Sequence, residues 1–348
     1  MTDEFRSQLR WAWCRKRKTP PETVNVPVDT YTIPYNPGDP RKFEEYLGQN
    51  HLKRRLQLRI NGAKKGESIK ALFSASAGQG KTALARVVAH EMQKRGLAEN
   101  YFEIIASKVE TKEQLDAFLI TIPAHSIVFI DEIHGLQGLS RDALLPALQD
   151  NVYAYNEGSN TMTPLPEGLS WLAATTDVGK VHLAVQRRFA VYDLTPMEFE
   201  HRKMLSLMQP FSVTEDAAAE LALRCWTPWE IKDEGLVVAR DIATEQHTAD
   251  VEVDQVIEAM DILGIDKFGM RELDRRVLTA MHNNPRIIRK ELRYGMSARA
   301  LIAATGVDGP TFYDRVEPKL LKLGYIRIAA GIGRELTERA MKDYFKEQ

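Results

Sequence analysis

Several features are scarce in this sequence of 348 residues. It contains two cysteines, Cys14 and Cys225, which lie far apart in the chain and match no metal-ligand spacing. We therefore expect neither a structural disulfide nor a cysteine-based metal site, as is usual in the reducing cytoplasm. No apolar run is long enough to span a bilayer, and the basic N-terminus lacks the apolar core of a signal peptide. These absences predict a cytoplasmic protein that does not associate with membranes.

An excess of charge of one sign is also lacking. The formal net charge is -1, so the protein has no overall basic field and any surface that binds nucleic acid must be local. We find no internal repeat in the sequence. Hydrophobic residues make up 44% of the chain, which is enough for several cores, and the length suggests two or three domains.

The most informative segment is a glycine-containing loop between a predicted strand and a predicted helix. The loop reads Ala75-Ser76-Ala77-Gly78-Gln79-Gly80-Lys81-Thr82. Small residues allow successive backbone N–H groups to surround phosphate oxygens, and the helix N-terminus adds partial positive charge. We expect Lys81 to reach the β- and γ-phosphates of a nucleotide and the Thr82 hydroxyl to bind Mg²⁺. The alternative interpretation is a glycine turn that caps an ordinary helix.

Two later apolar runs end in pairs of polar residues. The first run is followed by Asp131 and Glu132, and the second by Thr175 and Thr176. Strands that alternate with helices indicate a parallel sheet, in which the carboxyl ends of the strands meet at one edge. We expect the glycine loop and both polar pairs to share that edge, with Asp131 at Mg²⁺ and Glu132 as the general base.

Composition and periodicity divide the chain into four predicted segments. Residues 1–28 form a basic, tryptophan-containing extension, which would either contact a partner protein or a nucleic-acid backbone or be a solvated tail. Residues 29–196 form an α/β domain, within which residues 151–165 predict a β-hairpin with a polar turn. Residues 197–265 predict four helices, and residues 266–348 predict three helices followed by a hairpin, which is the layout of a winged helix.

The order of these features resembles the AAA+ ATPases and, within them, the RuvB family of Holliday-junction branch-migration motors. The resemblance implies an α/β AAA+ P-loop domain with a parallel sheet, a four-helix lid and a C-terminal winged-helix domain. Six segments carry the resemblance. Residues 44–51 are similar to the family's N-terminal nucleotide motif, residues 129–134 to its Walker B segment and residues 174–176 to its sensor-1 strand. Residues 188–189 are similar to its arginine finger, residues 192–196 to its lid junction and residues 313–326 to its winged helix.

The resemblance also implies the residues of a shared ATPase site. ATP would contact Tyr46, Leu47, Ala75, Ser76, Ala77, Gly78, Gln79, Gly80, Lys81, Thr82 and Ala83. Thr82 and Asp131 would hold Mg²⁺. Lys81, Glu132 and Thr176 would act in catalysis from one subunit, and Arg188 would reach the γ-phosphate of the neighbouring subunit. A ring is therefore expected, and the family resemblance implies that it is a hexamer.

The winged helix is expected to bind DNA. Five basic residues lie off its apolar stripe or flank its wing: Arg315, Lys319, Lys322, Arg327 and Arg334. Such side chains would meet phosphates, which gives affinity without sequence reading. Winged helices also mediate protein contacts, and Glu317 and Glu335 reduce the positive charge here, so a protein-binding surface is the alternative.

Three positions depart from the family pattern. Ala75 stands in place of the first P-loop glycine, Asp39 in place of an arginine, and Trp229 in place of the lid's sensor-2 arginine. A tryptophan cannot neutralise a phosphate, so another cation has to do so if that role is kept. Lys232, one helical turn later, is the candidate substitute.

These features together predict an ATP-hydrolysing ring motor that acts on duplex or branched DNA. The alternative is an ATP-dependent remodeller or regulatory switch that acts on a protein partner, for instance in a mobile-element or defence system. The hairpin 151–165 and the extension 1–28 are the segments through which we expect a protein partner to bind.

Overall fold

The structure is a computed structural model that describes residues 33, 39–136, 138–150, 152–155, 161–288 and 291–346. The basic extension predicted at residues 1–28 lies outside the described residues. Within the described ranges, no helix is long and apolar enough to cross a membrane.

The first domain is built on a five-stranded parallel sheet. Its strands are β1 (Lys70–Ser74), β2 (Asn100–Ile105), β3 (Ser126–Asp131), β6 (Ser170–Thr175) and β7 (Ala190–Asp193). They are ordered β2-β3-β6-β1-β7, and each neighbouring pair is parallel. Every residue of β6 is buried, as are the first five of β3, because helices cover both faces of a sheet of this kind. The predicted parallel α/β sheet is confirmed.

Helices flank this sheet on both faces and enclose two cores, one on each side. The helices are Asn50–Gly62, Lys81–Lys94, Lys112–Thr121, Gly138–Asp150 and Leu183–Gln186. The helix Lys112–Thr121 begins with a capping box, in which the Thr111 side chain accepts from the backbone N–H of Gln114. Short 3₁₀ turns follow β2, β3 and β6, at Ala106–Lys108, Ile133–Gly135 and Val178–Lys180.

A separate antiparallel hairpin stands between the last long helix of this domain and β6. Its strands are β4 (Val152–Tyr155) and β5 (Thr161–Pro164). The hairpin predicted at residues 151–165 is therefore present, although its polar turn, residues 156–160, lies outside the described residues.

The lid is a bundle of four helices, as predicted. It consists of Phe199–Leu207, Glu215–Arg224, Leu236–Glu245 and Val253–Ile262. A π-helical turn, Glu230–Gly235, leads directly into the third of these helices. The bundle has its own core, which is separate from the two cores of the sheet domain.

The last domain has a winged-helix layout with a fourth hydrophobic core. Its helical elements are Glu272–His282, Ala298–Thr305, Gly309–Thr311, Phe312–Val316, Glu317–Lys322 and Ala340–Tyr344. The predicted wing is the antiparallel pair β11 (Ile326–Ala329) and β12 (Gly333–Leu336), with β10 (Gly295–Met296) added at its edge. Neither β10 nor the small hairpin of β8 (Arg286–Ile288) and β9 (Glu291–Arg293) was predicted from the sequence. The exact domain boundaries stay predictions.

Candidate active site

Three neighbouring strands bring the predicted site residues to one edge of the sheet. In the strand order, β6 lies between β3 and β1. β1 leads into the glycine loop, β3 ends at Asp131, and β6 ends at Thr175. Because these strands are parallel, their carboxyl ends meet at a single edge, where ligands bind in open α/β sheets. The predicted meeting of the loop with the Asp131–Glu132 and Thr175–Thr176 pairs is therefore observed.

Backbone conformation explains which glycines this loop needs. Gly78 and Gly80 have φ values of 75° and 86°, a region that residues with side chains rarely adopt. Ala75 is not among the residues with positive φ, and it packs against the core beneath the sheet. An alanine therefore fits where the standard motif has its first glycine, and this departure does not disturb the loop.

Lys81 is held inside the loop. Its Nζ atom donates to the carbonyl oxygens of Ala75 and Ser76 over 3.0 and 3.3 Å. It also lies 3.9 Å from Glu132 Oε1. Burial lowers the pKa of Lys81, and the charges of Glu132 and Asp131 oppose that shift. A buried ammonium is stabilised by a negative charge beside it, and a bound phosphate would supply that charge.

Glu132, the predicted base, is fixed by its own backbone and by the neighbouring strand. It has a φ of 49° and ψ of 51°, which turns the chain sharply at the end of β3. Its Oε2 atom accepts from the backbone N–H of Thr176 over 3.0 Å and from the Thr176 hydroxyl over 3.2 Å. The base and the predicted sensor residue are therefore in direct contact.

His134 completes this cluster, although no role was predicted for it from the sequence. Its Nδ1 atom lies 3.1 Å from Glu132 Oε2 and 3.0 Å from Thr175 Oγ1. The signal available in the sequence was its place in the segment 129–134 that resembles the Walker B segment. That position alone does not show that the 3₁₀ turn Ile133–Gly135 brings the ring back to β6.

Asp131 and Thr82 supply the oxygen atoms predicted to hold Mg²⁺. Thr82 is the second residue of the helix that follows the glycine loop. Burial and then the negative charge of Glu132 raise the pKa of Asp131 above its ordinary value. A cation beside this carboxylate would offset both effects, and carboxylate and hydroxyl oxygens are ligands that Mg²⁺ prefers. The donor set therefore fits the ion.

Tyr46, from the N-terminal motif, touches the same loop. Its ring is buried, and its hydroxyl donates to the carbonyl oxygen of Gly80 over 3.3 Å. A Cβ atom at Gly80 would lie 3.0 Å from that hydroxyl oxygen. Three residues later, the Gln49 side chain accepts a hydrogen bond from the backbone N–H of Thr195 over 3.1 Å, just before the lid. This motif thus connects the phosphate loop with the lid junction.

The lid contacts the α/β sheet domain at two points near the loop. The backbone N–H of Trp229 donates to the carbonyl oxygen of Gly78 over 3.3 Å, while 48% of Trp229 is exposed. The Nζ atom of Lys232 bonds Asp39 Oδ1 at 2.7 Å, and Arg86 lies 4.0 Å from the same carboxylate. In this structure Lys232 is therefore engaged with Asp39, the residue at another position that departs from the family pattern.

Arg188 lies at the opposite end of the sheet from the glycine loop. It comes just before β7, so it sits where that parallel strand begins, whereas the loop follows the end of β1. Its guanidinium donates to the carbonyl oxygen of Ala184 and to the side chain of Gln149, at the end of a long helix. Arg188 does not join the other predicted catalytic residues within one chain.

The five basic residues predicted to bind DNA have different surroundings. Lys319 pairs with the buried Asp274 at 2.7 Å, and its own side chain is only 10% exposed. Arg334 pairs with Glu317, and Arg327 with Glu335 at 3.0 Å. Arg315 and Lys322 are exposed. The prediction for Lys319 needs correction, because its ammonium neutralises a buried carboxylate and so is committed to the domain's interior.

Comparison with known proteins agrees with this geometry. Residues 39–194 match the family model described as the Holliday junction DNA helicase RuvB P-loop domain. The Holliday junction branch migration complex subunit RuvB of Nostoc sp. is 29% identical over 317 residues, which cover 87% of this chain and 82% of that protein. The subunit of the same name from Kosmotoga olearia is 28% identical over 315 residues, covering 87% and 88%.

A solved structure extends the match to the lid and the winged helix. The Thermotoga maritima RuvB Holliday junction branch migration motor has a TM-score of 0.72 at 26% identity, and the match covers 88% of this chain and 97% of that chain. The sheet order, the glycine loop and these matches lead to the same conclusion. The chain is a RuvB-like AAA+ ATPase, an enzyme that hydrolyses ATP with Mg²⁺ as its cofactor.

Proposed function

We propose that this protein is an ATP-driven ring motor that acts on duplex or branched DNA. One observation supports the proposal of a ring: the predicted catalytic residues are divided between two ends of the sheet. Lys81, Glu132 and Thr176 lie at the carboxyl ends of the strands, and Arg188 lies at the opposite end, where β7 begins. A single chain therefore supplies two half-sites that face different directions, and a closed ring of identical subunits would pair every half-site with its complement.

Within the first half-site, each side chain has a distinct task in the proposed mechanism. Lys81 binds the β- and γ-phosphates and offsets their charge. Glu132 accepts a proton from the attacking water, and Thr176 keeps the base in place through its two hydrogen bonds. Thr82 and Asp131 would hold Mg²⁺, which, when bound, neutralises charge on the phosphates. Tyr46 and Leu47 contribute to the nucleotide pocket beside the loop.

Arg188 would complete the site of the neighbouring subunit. An arginine that reaches the γ-phosphate stabilises the charge of the transition state, which contributes about 10³–10⁵ in rate in related phosphoryl-transfer enzymes. Hydrolysis would then depend on how adjacent subunits sit against each other. That dependence offers a route by which ATP turnover could move one subunit relative to the next. A hexamer is the ring size that we propose.

DNA is the proposed substrate of the motor. The relatives that match this chain are named as subunits of a Holliday junction branch migration complex, and the winged-helix domain exposes Arg315 and Lys322. Arg327 also remains 61% exposed beside its carboxylate partner. These cations would contact phosphates without reading sequence. The predicted cytoplasmic location is consistent with this substrate.

A second candidate function is supported by the same domain. Three of the five predicted DNA contacts, Lys319, Arg327 and Arg334, are paired with carboxylates, which reduces the positive charge offered to DNA. The candidate is an ATP-dependent remodeller whose substrate is a protein. Its partner would bind through the hairpin β4–β5 or the extension 1–28.

Movement of a DNA junction tests the proposed function. A synthetic four-way junction with a fluorophore and a quencher on arms that separate during branch migration would be mixed with the protein and ATP. We expect a fluorescence increase that requires hydrolysable ATP and is absent with the Glu132→Gln variant. A protein that hydrolyses ATP but never moves the junction, under conditions in which it binds DNA, would contradict the proposed motor.

A further inference from the structure

We propose that His134 is a positioning residue for Glu132: its Nδ1–H holds Glu132 Oε2, so that Oε1 is left to take the proton of the attacking water. This inference rests on the proposed function, since a general base matters only where ATP is hydrolysed. During hydrolysis the water oxygen bonds to the γ-phosphorus while the bond to the ADP oxygen breaks. The water proton that is released passes to Glu132 Oε1.

The hydrogen-bond network assigns the tautomer of His134. The Thr175 hydroxyl donates its single proton to the carbonyl oxygen of Asp177 over 3.1 Å. Its oxygen can then only accept, and it does accept from the backbone N–H of Asp177 over 3.2 Å. Glu132 Oε2 is a carboxylate oxygen and also only accepts. Both atoms within 3.1 Å of His134 Nδ1 act as acceptors in this arrangement, which favours the tautomer that carries a proton on Nδ1.

This arrangement makes the two oxygens of Glu132 unequal. Oε2 accepts two hydrogen bonds, from the backbone N–H and from the hydroxyl of Thr176, and His134 Nδ1 lies 3.1 Å from the same oxygen. Oε1 lies 3.9 Å from the Lys81 ammonium and accepts no hydrogen bond from the residues that the structure describes. An oxygen with its lone pairs occupied is a poor proton acceptor, whereas one that faces the phosphate-binding lysine is placed for the reaction. His134 thus contributes to the choice of the reactive atom.

The contacts come from two different strands, which restricts movement of the base. Glu132 and His134 follow β3, and Thr175 and Thr176 end β6. Without His134, the Glu132 side chain would be tied to β6 through Thr176 alone. A carboxylate that can rotate about its last bond would present either oxygen to water, and misplacement by about 1 Å can cost about 100-fold in rate.

Substitution of His134 should leave the fold intact. Its side chain is 24% exposed and lines an open cavity of about 470 Å³, together with Arg141, Lys180 and His182. A shorter side chain would enlarge a space that water already reaches and would leave no closed void in the core. Variants at this position can therefore report on the base and on little else.

Three variants separate a positioning role from a general structural one. The amide nitrogen of asparagine can take the place of Nδ1, whereas that of glutamine corresponds to the more distant Nε2. We expect His134→Asn to keep kcat within about threefold of the wild-type value, because the donor is retained. His134→Gln and His134→Ala should each lower kcat by about tenfold to 100-fold. All three should keep wild-type KM, ATP affinity and melting temperature.

Each other result would overturn the proposal. An unchanged kcat in His134→Ala would show that Nδ1–H does not position the base. Equal losses in the asparagine and glutamine variants would show that the position of the donor is unimportant. If ATP affinity fell by as large a factor as kcat, His134 would instead be assigned to the structure of the pocket. These outcomes differ from failure of the proposed function, in which wild-type protein itself would not turn over ATP.

Discussion

The backbone N–H of Trp229 donates to the carbonyl oxygen of Gly78 over 3.3 Å, so the lid rests directly on the phosphate-binding loop. The contact leaves little room. A Cβ atom at Gly78 would lie 3.0 Å from Thr227 Oγ1 and 3.1 Å from Trp229 Cβ. Gly78 also has a φ of 75°, which strains any residue with a side chain. Loop and lid therefore meet at a position that suits glycine only.

The first prediction concerns the two loop positions that differ in backbone conformation. Gly78→Ala should weaken ATP binding by about tenfold or more, because a strained φ costs about 1–3 kcal/mol and the new methyl group presses on the lid. Ala75→Gly is the matched control and should bind ATP like the wild type, because Ala75 is not among the residues with a positive φ. Titration with a fluorescent ATP analogue measures both. Equal affinities for the two variants would contradict this account of the loop.

The second prediction concerns the ion pair between Lys232 of the lid and Asp39 of the sheet domain. Lys232→Gln and Asp39→Asn break the same 2.7 Å contact. If the pair aligns the lid, each variant should lose about fivefold in ATP affinity, since a partly exposed pair is worth about 1 kcal/mol at most. The Asp39→Lys, Lys232→Asp double variant should recover part of the loss. A much larger effect of Lys232→Gln alone would instead give Lys232 the role of the missing sensor-2 arginine.

The third prediction tests whether Arg188 acts on the neighbouring subunit. Arg188→Ala and Glu132→Gln should each hydrolyse ATP at least about 100-fold more slowly than the wild type. Mixed rings contain some interfaces with an intact Glu132 facing an intact Arg188, so mixing should restore measurable turnover. Arg187→Ala, at the exposed neighbouring arginine, is the control and should behave like the wild type. No recovery in rings shown to contain both variants would count against action in trans.

The fourth prediction separates the basic residues of the winged helix. Lys319→Met leaves the carboxylate of Asp274 buried and unpaired, and loss of one partner from such a pair costs about 3–5 kcal/mol. Its melting temperature should fall clearly. Arg315→Ala and Lys322→Ala should leave stability unchanged, weaken DNA binding and each reduce the salt slope by about one unit if the side chain binds a phosphate. A Lys319→Met variant with wild-type stability and weak DNA binding would reinstate Lys319 as a residue that binds DNA.

Features that depend on local sequence were predictable. The glycine loop, the polar ends of β3 and β6, the capping box at Thr111 and the helices of the lid each follow from patterns within a few residues. Even the meeting of loop and polar pairs at one edge could be inferred, because parallel strands place their carboxyl ends together. The positions of these residues therefore needed no knowledge of distant contacts.

Contacts between distant elements were not predictable in the same way. Lys319 lies off the apolar stripe of its helix, but only the fold shows that Asp274, on another helix, is its partner. The ring of His134 returns to Thr175 through a 3₁₀ turn that periodicity does not reveal. The strands β8 and β9 have three residues each, too few for an alternating pattern to emerge.

ATP turnover measured while DNA is titrated tests the central claim most directly. The wild-type protein would receive increasing amounts of a four-way junction or a linear duplex at several salt concentrations, with Glu132→Gln as the inactive control. A motor on DNA predicts turnover that rises with DNA, saturates, and needs more DNA as salt increases, because phosphate contacts release counterions. Turnover that no DNA changes at any salt concentration, together with stimulation by a partner protein, would contradict a DNA motor and favour the remodeller.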